Sequence, residues 1–460
     1  MLSATDLAEL QASFDGRVLV EGSAEYESTF RSRMVRFEHV RPQAIAACKT
    51  STDVGRALLV VRATGAPFAV RSGGHCFAGR STTQGLLIDV APMRTVDLDA
   101  DGVATVGAGA RLGEVAAAIE PLGVTVPAGL CPDVGVAGLT LGGGFGLLGR
   151  RYGLTSDRLL AARVVLADGR VLDCDEQHHD DLFSALRGAG AGQFGVVTSF
   201  VFDSVPAPEC TAFHLVWEGR HAVALVDAWQ QWSPLAPDEL AASILVSVPA
   251  DPAAPLFVTL LGVLLGGETE TEELLGVLIA MANAAPALSE RARLSWANAK
   301  TYLAGRVPEA DSGHMYNKSE FFRQSLPREV IAALVRDLVD SRTAGEAREL
   351  DFTPWGGAYN RASAQETAFV QRDELFLLKQ AATLTTVSPQ SVATARSWLN
   401  RSWQLLHPWG TGLVYPNFPD DDLSDPVNSY WGTNRQRLTH VKAVYDPDNV
   451  FRPPQSVELA

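Results

Sequence analysis

The stretch VRSGGHCFAGRS at residues 70–81 is the most informative starting point in this sequence. The apolar run APFAV at residues 66–70 leads into it and predicts a short strand. Two adjacent glycines then allow a tight turn that brings backbone N–H groups close to a bulky anion such as a phosphate. The spacing matches neither a P-loop nor a dinucleotide-fold fingerprint, and no helix is predicted directly after it. Taken alone, the stretch is more typical of a turn with a surface histidine than of a phosphate site.

A second stretch, GLCPDVGVAGLTLGGGFG at residues 129–146, contains seven glycines in 18 residues. This density of small residues leaves no room for packed side chains, and it favours a backbone that lies flat against a large planar ligand. A flexible linker fits poorly, because Leu and Val are interleaved with the glycines and RRYGL follows at residues 150–154. The two stretches together therefore favour a ligand site over a simple turn.

Composition places the chain among large globular proteins. With 460 residues and 47% hydrophobic content it can bury a large core, and its length favours two or more domains. The net charge is −15 and there is no basic run, which argues against nucleic acid as a partner. The apolar run at residues 256–265 is too short to span a bilayer and predicts a buried strand, so we expect no membrane partner.

The N-terminus and the cysteines point to a reducing compartment. Residues 1–10 predict a short amphipathic helix rather than a signal peptide. The five cysteines are an odd number without the spacing of a disulfide framework or of metal ligands. We therefore expect a cytoplasmic protein without a metal site, in which Cys131 is available for other chemistry.

Helix and strand patterns occur in mixed order, which favours an α+β fold over a doubly wound sheet. The sequence predicts strands at 66–70, 85–90, 241–248 and 257–265, a hairpin at 164–172, and helices at 51–59, 111–120, 270–285 and 328–341. The VPAP run at residues 205–208 marks a boundary, after which strands and helices become longer.

Several motifs together resemble one known family. They are RSGGH at 71–75, CPDVGVAG at 131–138, GGGFG at 142–146, RRYGL at 150–154, FGVVT at 194–198 and YDPDNVFR at 445–452. These residues are similar to those of the berberine-bridge-enzyme-like flavin oxidases of the vanillyl-alcohol-oxidase and p-cresol-methylhydroxylase (PCMH) superfamily. The resemblance implies a two-lobed, discontinuous PCMH-type FAD-binding domain from residues 1–205 and 413–460. It further implies a substrate-binding domain, residues 206–412, with an antiparallel sheet covered by helices.

The resemblance also implies covalently bound FAD. In the family the histidine that matches His75 is bonded to the flavin 8α-methyl carbon, and the cysteine that matches Cys131 is bonded through sulfur to flavin C6. Two bonds would raise the flavin potential and hold the ring in an open cleft that suits a bulky substrate. From the residues alone, His75 could equally be a phosphate donor or an exposed bystander, and Cys131 a buried structural cysteine.

Further contacts with FAD are expected from both loops and from two later segments. The predicted residues are Arg71, Ser72, Gly73, Gly74, Cys76, Phe77, Ala78, Gly79, Val136, Ala137, Gly138, Gly142, Gly143, Gly144, Gly195, Val197, Tyr415 and Asn417. Leu139 departs from the family pattern because it stands where plant-like members have a histidine, and Gln193 departs from it because it stands where an asparagine is usual.

The proton-transfer residues are predicted from the segment VYPNFPD at 414–420, which resembles the family's Tyr-x-Asn-Tyr segment. Tyr415 is expected to be the catalytic base, and Phe418 removes the second phenol. Since a free tyrosine has a pKa of about 10, we expect Lys379, together with the flavin environment, to lower it. Core packing is the alternative for Tyr415, and a solvated face is the alternative for Lys379.

Other matches concern the surroundings of this segment. YWGTN at 430–434 is expected to hold the tail beside the flavin. Arg372 matches the family's His-Arg pair, in which Gln371 replaces the histidine. Trp355 and Tyr359 could line the pocket or belong to the core.

The resemblance implies an FAD-dependent oxidase that removes a hydride from an alcohol or activated C–H carbon and passes electrons to O2, releasing H2O2. We expect a bulky natural-product intermediate of secondary metabolism, such as antibiotic biosynthesis, and a monomer or homodimer. A mono- or oligosaccharide oxidase or dehydrogenase is the alternative, because both kinds of substrate need the same base and acceptor. A flavin-holding binding module without turnover is the alternative of another class.

Overall fold

A computed structural model describes residues 2–306 and 313–459. The first layer is a four-stranded sheet with three helices around it. Its elements are α1 (Ala4–Ser13), β1 (Arg17–Val20), α2 (Ala24–Thr29), β2 (Ala44–Ala47), α3 (Ser51–Thr64), β3 (Phe68–Arg71) and β4 (Leu86–Asp89). The strand order is β1-β2-β4-β3, in which β4 pairs in parallel with both β2 and β3.

Helix α3 begins and ends as the sequence predicts for an α-helix. The Thr50 side chain accepts a hydrogen bond from the Asp53 N–H, and Gly65 ends the helix in the left-handed conformation at φ 65°. The buried Asp53 carboxylate also accepts the N–H groups of Asp15 and Gly16, so the same cap fixes the preceding loop. The helix continues to Thr64, five residues beyond the predicted end.

The second layer is an antiparallel sheet of five strands. Its region contains β5 (Val96–Leu98), β6 (Val103–Gly107), α4 (Leu112–Ile119), β7 (Val124–Thr125), α5 (Val136–Leu141), α6 (Gly149–Tyr152), β8 (Leu159–Val165), β9 (Val171–Asp175), α7 (Asp180–Ala189), β10 (Val196–Asp203) and β11 (Val205–Pro206). The strand order is β5-β6-β10-β8-β9, and β11 pairs separately with β7. The predicted hairpin is confirmed as the antiparallel pair of β8 and β9.

The third layer is an antiparallel sheet of seven strands. The region contains β12 (Glu209–Glu218), α8 (Ala222–Trp232), β13 (Leu240–Val248), β14 (Phe257–Leu264), α9 (Glu268–Ala282), β15 (Leu288–Ser295), α10 (Trp296–Ala304), β16 (His314–Phe322), α11 (Arg328–Val339), β17 (Glu346–Pro354), β18 (Phe376–Leu384) and α12 (Pro389–Leu406). The strand order is β15-β12-β14-β13-β17-β18-β16. Two further helices, α13 (Pro426–Trp431) and α14 (Arg435–Tyr445), follow it.

Two large hydrophobic cores organise these layers. One joins side chains from residues 2–202 with others from 414–457, so the chain returns to its first core near its C-terminal end. The other joins the seven-stranded sheet with α8, α9, α11 and α12, which cover one face of that sheet. The fold is thus α+β, as predicted, while the domain boundaries at residues 205 and 412 stay a prediction.

No helix within residues 2–306 and 313–459 combines the length and the apolar character that a bilayer span requires.

Candidate functional site

A cavity of about 1380 Å³ lies where these layers meet. Its walls are formed by the loop after β3, by the glycine-rich segment 129–147, by residues 191–197 and by the C-terminal segment 448–454. Its floor is the face of the seven-stranded sheet that α8, α9, α11 and α12 leave uncovered, and it contains Leu245, Asp351 and Lys379. Residues of both glycine-rich stretches therefore line one space that is large enough for a ligand.

Most of the predicted FAD-contacting residues line this cavity. They are Ser72, Gly73, Gly74, His75, Cys76, Phe77, Ala78, Gly79, Cys131, Ala137, Gly138, Gly195, Val197, Tyr415 and Asn417, and Lys379 lines it as well. Five others lie behind the wall: Arg71, Val136, Gly142, Gly143 and Gly144. Whether any of these residues contacts FAD stays a prediction.

Arg71 anchors the loop from behind. Its buried guanidinium donates to the carbonyls of Thr29 and Phe30, at 2.7 and 2.9 Å, and lies 3.2 Å from the Asp89 carboxylate. Ser72 then donates to the Ala108 carbonyl at 2.7 Å. The start of the loop is therefore fixed to its own sheet and to the residue after β6, which leaves the following residues to face the cavity.

A pair of glycines joins the two loops. A Cβ on Gly73 would overlap the backbone of Gly135, and a Cβ on Gly135 would overlap Gly73 and the Ser72 hydroxyl. Only glycine allows backbones to approach this closely. This contact brings His75 and Cys131, which are far apart in sequence, to one cavity.

His75 is half-buried and Cys131 is exposed. Cys76 is the other cavity-lining cysteine, whereas Cys48, Cys174 and Cys210 are buried elsewhere. Burial raises the pKa of Cys174 to about 12 and that of Cys210 to about 11, so these thiols are poor nucleophiles at neutral pH. Cys131 is therefore the most accessible thiol of the five.

The three consecutive glycines bring their backbone close to the segment around Tyr415, and their contact with FAD stays a prediction. A Cβ on Gly142 would overlap the Asn417 amide, and one on Gly143 would lie 2.8 Å from the Phe369 ring. Gly143 and Gly144 have φ angles of 110° and 80°, which favour glycine. They let the segment around Tyr415 pack directly against the backbone after α5.

Tyr415 is held by two N–H donors. Its hydroxyl oxygen accepts from the Gly144 backbone and from the Asn417 amide, both at 3.1 Å, and Asn417 also donates to the Leu139 carbonyl at 2.9 Å. Burial raises the pKa of Tyr415 to about 12, although both hydrogen bonds favour the phenolate. The polypeptide thus keeps this phenol protonated at neutral pH.

Lys379 is engaged with carboxylates rather than with Tyr415. Its Nζ atom lies 3.1 Å from Asp351 and 3.7 Å from Glu349. Burial opposes its charge, yet the two carboxylates raise the pKa of Lys379 above its usual value. Within the polypeptide alone burial raises the Tyr415 pKa and the Lys379 ammonium is paired with carboxylates, so the lowering of that pKa by Lys379 together with the flavin environment stays a prediction.

Aromatic rings surround Tyr415. Phe145 and Phe418 lie with ring centroids 5.1 and 5.0 Å from it, and Tyr359 lines the same cavity. The Tyr359 hydroxyl donates to the Gly146 carbonyl at 2.9 Å, while Trp355 is fully buried and stacks on Tyr359 at 4.2 Å. Of the two, Tyr359 faces the site and Trp355 belongs to the core.

Gln193 and Gln371, two of the residues that depart from the family pattern, take structural roles. The Gln193 side chain accepts the Val457 N–H at 2.9 Å, and the Gln371 amide donates to the carbonyls of Val414 and Tyr430. Both therefore hold the C-terminal segment in place.

Sequence reasoning missed Gln455. Its side-chain oxygen accepts hydrogen bonds from Arg80 and, at 2.9 Å, from Tyr430, and its amide donates to the Asp420 carbonyl at 2.8 Å. It links the loop after β3 to the segment that follows Tyr415. Its φ of 62° is uncommon for a residue other than glycine, but no sequence motif indicated this role.

The cavity fits FAD on two observations. A Cβ on Gly138 would meet no atom within 4 Å, so this backbone borders open space where a flat ring can lie. The hydroxyls of Ser81 and Thr82 line the cavity and are buried without a hydrogen-bond partner among the described residues, as suits groups that await phosphate or ribityl oxygens.

Comparison with known proteins identifies similarity to FAD-binding proteins. A family model described as FAD binding domain matches residues 42–175, and one described as berberine and berberine like matches residues 414–458. The uncharacterized FAD-linked oxidoreductase YvdP of Bacillus subtilis is 32% identical over 447 residues, which cover 96% of this chain and 98% of that protein.

Two further similarities bear on function. A chitooligosaccharide oxidase of Gibberella zeae is 31% identical, covering 91% of this chain and 87% of that protein. Among solved structures, wild-type BBE-like 1 of Physcomitrella patens is 28% identical with a TM-score of 0.89, covering 99% of both chains.

Proposed function

The chain belongs to the berberine-bridge-enzyme-like FAD-linked oxidoreductases of the PCMH superfamily, and from that premise we propose that it oxidises an alcohol carbon of a bulky substrate by hydride removal. The observation that carries this proposal is the single cavity that His75, Cys131, Tyr415 and Lys379 all line. A site of that size accommodates an organic substrate beside a cofactor.

We assign the cofactor to the loop side of the cavity. His75 and Cys131 would each hold FAD through one covalent bond, and the Gly138 backbone and the hydroxyls of Ser81 and Thr82 would border it. When bound, FAD supplies a two-electron acceptor that O2 can reoxidise with release of H2O2. The other cavity-lining residues of the two glycine-rich loops belong to the same wall, and the five predicted residues behind it would support that wall.

Tyr415 is the proposed acceptor of the hydroxyl proton. The N–H groups of Gly144 and Asn417 point at its oxygen and would stabilise the phenolate at the moment of proton transfer. With a pKa of about 12 its phenolate is scarce but strongly basic. Lys379, paired with Asp351, would hold a polar group of the substrate at the same end of the cavity.

The proposed setting follows the sequence expectations. We propose an enzyme that tailors a natural-product intermediate in the cytoplasm, acting as a monomer or homodimer. FAD would be bound by residues 1–205 with 413–460, and substrate by residues 206–412. Oxidation of a saccharide is the second candidate, and the similarity to a chitooligosaccharide oxidase favours it.

The proposal is tested by flavin bleaching. The purified holoenzyme is mixed without oxygen with a panel of aromatic, terpenoid and sugar alcohols, and the loss of flavin absorbance is followed. Rapid bleaching by a member of the panel, followed by one H2O2 per turnover under air, is the expected result. Bleaching without peroxide would identify a dehydrogenase instead, and no bleaching by any alcohol would refute alcohol oxidation.

A further inference from the structure

The cavity floor changes from apolar to ionic across four adjacent strands. In the order β14, β13, β17, β18, the register places Leu261 opposite Ser243, Leu245 opposite Asp351, and Asp351 opposite Lys379. All five side chains line the cavity. Side chains two residues apart on a strand share a face, so this row is a continuous surface.

The apolar half continues onto the facing wall. Leu245 and Leu261 are buried in one hydrophobic cluster, and Leu130 and Leu147 from the glycine-rich segment pack against that cluster. Each of these four leucines also lines the cavity, and Leu130 and Leu147 are only half-buried. The result is an apolar recess bounded by leucines on two sides.

The ionic half lies toward Tyr415. The Lys379 ammonium is 5.5 Å from the centre of the Phe418 ring, and that ring is 5.0 Å from the ring of Tyr415. The charges of Lys379 and Asp351 are already paired at 3.1 Å. A polar group of the substrate therefore finds hydrogen-bonding partners at this end, next to the proposed proton acceptor.

This arrangement suits a sugar poorly. Nearly every carbon of a sugar carries a hydroxyl that loses water on burial and needs a new partner. On the described floor the polar side chains are few: Ser243, Thr353, Asp351 and Lys379. An apolar skeleton needs no such partners and gains free energy when the leucines cover it.

We infer that the substrate is an alcohol on an apolar skeleton, with the skeleton in the recess of Leu130, Leu147, Leu245 and Leu261 and its hydroxyl at the ionic half beside Tyr415. This inference rests on the proposed function and narrows it to one class. It assigns the four leucines as specificity-determining residues for the reaction.

Binding of three probes tests the inference without requiring turnover. Naphthalenemethanol, benzyl alcohol and cellobiose are titrated into the anaerobic holoenzyme, and the perturbation of the flavin spectrum gives each Kd. The second aromatic ring should tighten binding roughly fivefold to tenfold over benzyl alcohol, since it buries further apolar surface. Cellobiose should bind more weakly than either. Equal affinity of the two aromatic alcohols, tighter binding of cellobiose, or no perturbation by any probe would overturn the inference.

Variants locate the recess. Leu147→Asn and Leu245→Asn should each weaken naphthalenemethanol binding about tenfold while the affinity for cellobiose stays unchanged. Leu235→Asn, at a leucine that is 72% exposed and away from the cavity, is the matched control. Leu147 is half-buried in a loop, so its variant carries the test if Leu245→Asn does not fold. An unchanged Kd in Leu147→Asn would also contradict the inference.

The two proposals fail in different ways. If the aromatic alcohols bind with the expected dependence on the leucines but no alcohol bleaches the flavin, oxidation fails and the apolar recess stands. If a sugar binds most tightly and bleaches the flavin, oxidation stands and the apolar recess is wrong.

Discussion

At the scale of single residues, the Tyr415 phenol is subject to opposing effects. Burial in the aromatic cluster disfavours its charged form, whereas the N–H donors of Gly144 and Asn417 favour it. The pKa of about 12 that results means that the phenolate fraction increases about tenfold with each pH unit throughout the neutral range. A base of this kind is controlled by its donors more than by a neighbouring cation.

Removing the phenol should slow chemistry and leave the cofactor in place. In Tyr415→Phe we expect flavin reduction to slow by roughly 10²- to 10⁴-fold, the usual contribution of a general base. For the wild type, the reduction rate should rise with pH between 6 and 9, because the base form becomes more abundant, and this rise should be absent from the variant. Anaerobic stopped-flow absorbance with a bleaching alcohol measures both effects.

Phe418→Tyr serves as the control for that experiment. It restores a phenol next to Tyr415 without removing either N–H donor, so the variant should keep the pH dependence of the wild type. A Tyr415→Phe enzyme with an unaltered reduction rate would remove this residue from proton transfer.

Single variants can distinguish the flavin bond at His75 from the flavin bond at Cys131. We expect acid-precipitated wild-type protein to keep its yellow colour. Peptide mass mapping should find the mass of the flavin on the peptide that contains His75 and on the peptide that contains Cys131. His75→Ala and Cys131→Ser should each retain flavin through the remaining bond, and the double variant should release it on denaturation. Cys76→Ser is the matched control, since Cys76 lines the same cavity. Complete release of flavin from the wild type in acid would contradict both attachments.

At the scale of elements, two loops become one site through backbone contact. Strand β3 ends at Arg71, whose guanidinium fixes the loop from behind, and Gly73 then meets Gly135 just before helix α5 begins at Val136. No side chain stands between these backbones. The cavity wall therefore depends on two glycines, and their contact cannot be predicted from their positions in the sequence.

Two glycine substitutions should have opposite consequences. In Gly73→Ala the new Cβ overlaps the Gly135 backbone, so we expect a loss of at least about 2 kcal/mol of stability. In Gly138→Ala the Cβ enters open space within a helix, where alanine is favoured by up to about 1 kcal/mol, so the polypeptide should be no less stable. That variant should instead contain less flavin, because its methyl group occupies the proposed cofactor space.

The two glycine variants are compared by thermal melting and by the ratio of flavin to protein absorbance. Full flavin content in Gly138→Ala would place the ring elsewhere.

The sequence predicts these elements well where the residues that interact are close together in the sequence. Helix α3 and strand β3 follow from caps and periodicity within a few residues, and both were predicted. The motifs that contain His75 and Cys131 indicated a common site through resemblance, but the contact of Gly73 with Gly135 required the folded chain. Local patterns encode elements, whereas contacts between distant segments depend on how those elements pack.

Strand register explains what the sequence could not predict about Lys379. Its charge suggested a partner in Tyr415, but the pairing of β17 with β18 places Asp351 directly opposite. A cross-strand neighbour cannot be read from either strand by itself. Gln455 was missed for the same reason, since its three partners come from separate parts of the chain.

At the scale of the whole molecule, the cavity stays intact only if its two sides are held together. The wall near Tyr415 is connected to the region after α5 by Asn417, which donates to the Leu139 carbonyl. Arg150, next to the second glycine-rich stretch, donates to the carbonyls of Trp355, Pro234 and Ala236. The Arg150 bonds cross between the segments that carry the two large hydrophobic cores, whereas the Asn417 bond joins two segments of the first core.

The buried ion pair of Arg372 with Asp157 also joins the segments that carry the two large hydrophobic cores. The two guanidinium nitrogens lie 2.6 and 2.8 Å from the two carboxylate oxygens, and the side chains are 3% and 13% exposed. Removing one partner of such a pair leaves the other charge buried without compensation, at a cost of about 3–5 kcal/mol. For a chain of this length that corresponds to a fall in Tm of roughly 3–5 °C in Arg372→Gln.

The matched control is a pair with the same geometry and a different environment. Arg163 and Asp173 also form two hydrogen bonds, at 2.7 and 2.9 Å, but their side chains are 49% and 67% exposed. Because water screens this pair, Arg163→Gln should change stability by at most about 1 kcal/mol. Differential scanning calorimetry compares the fall in Tm of the two variants, and flavin content is measured on the same samples. Equal falls in Tm would mean that Arg372 contributes no more than a surface charge, and that the two sides of the cavity are held by their backbone hydrogen bonds and apolar contacts.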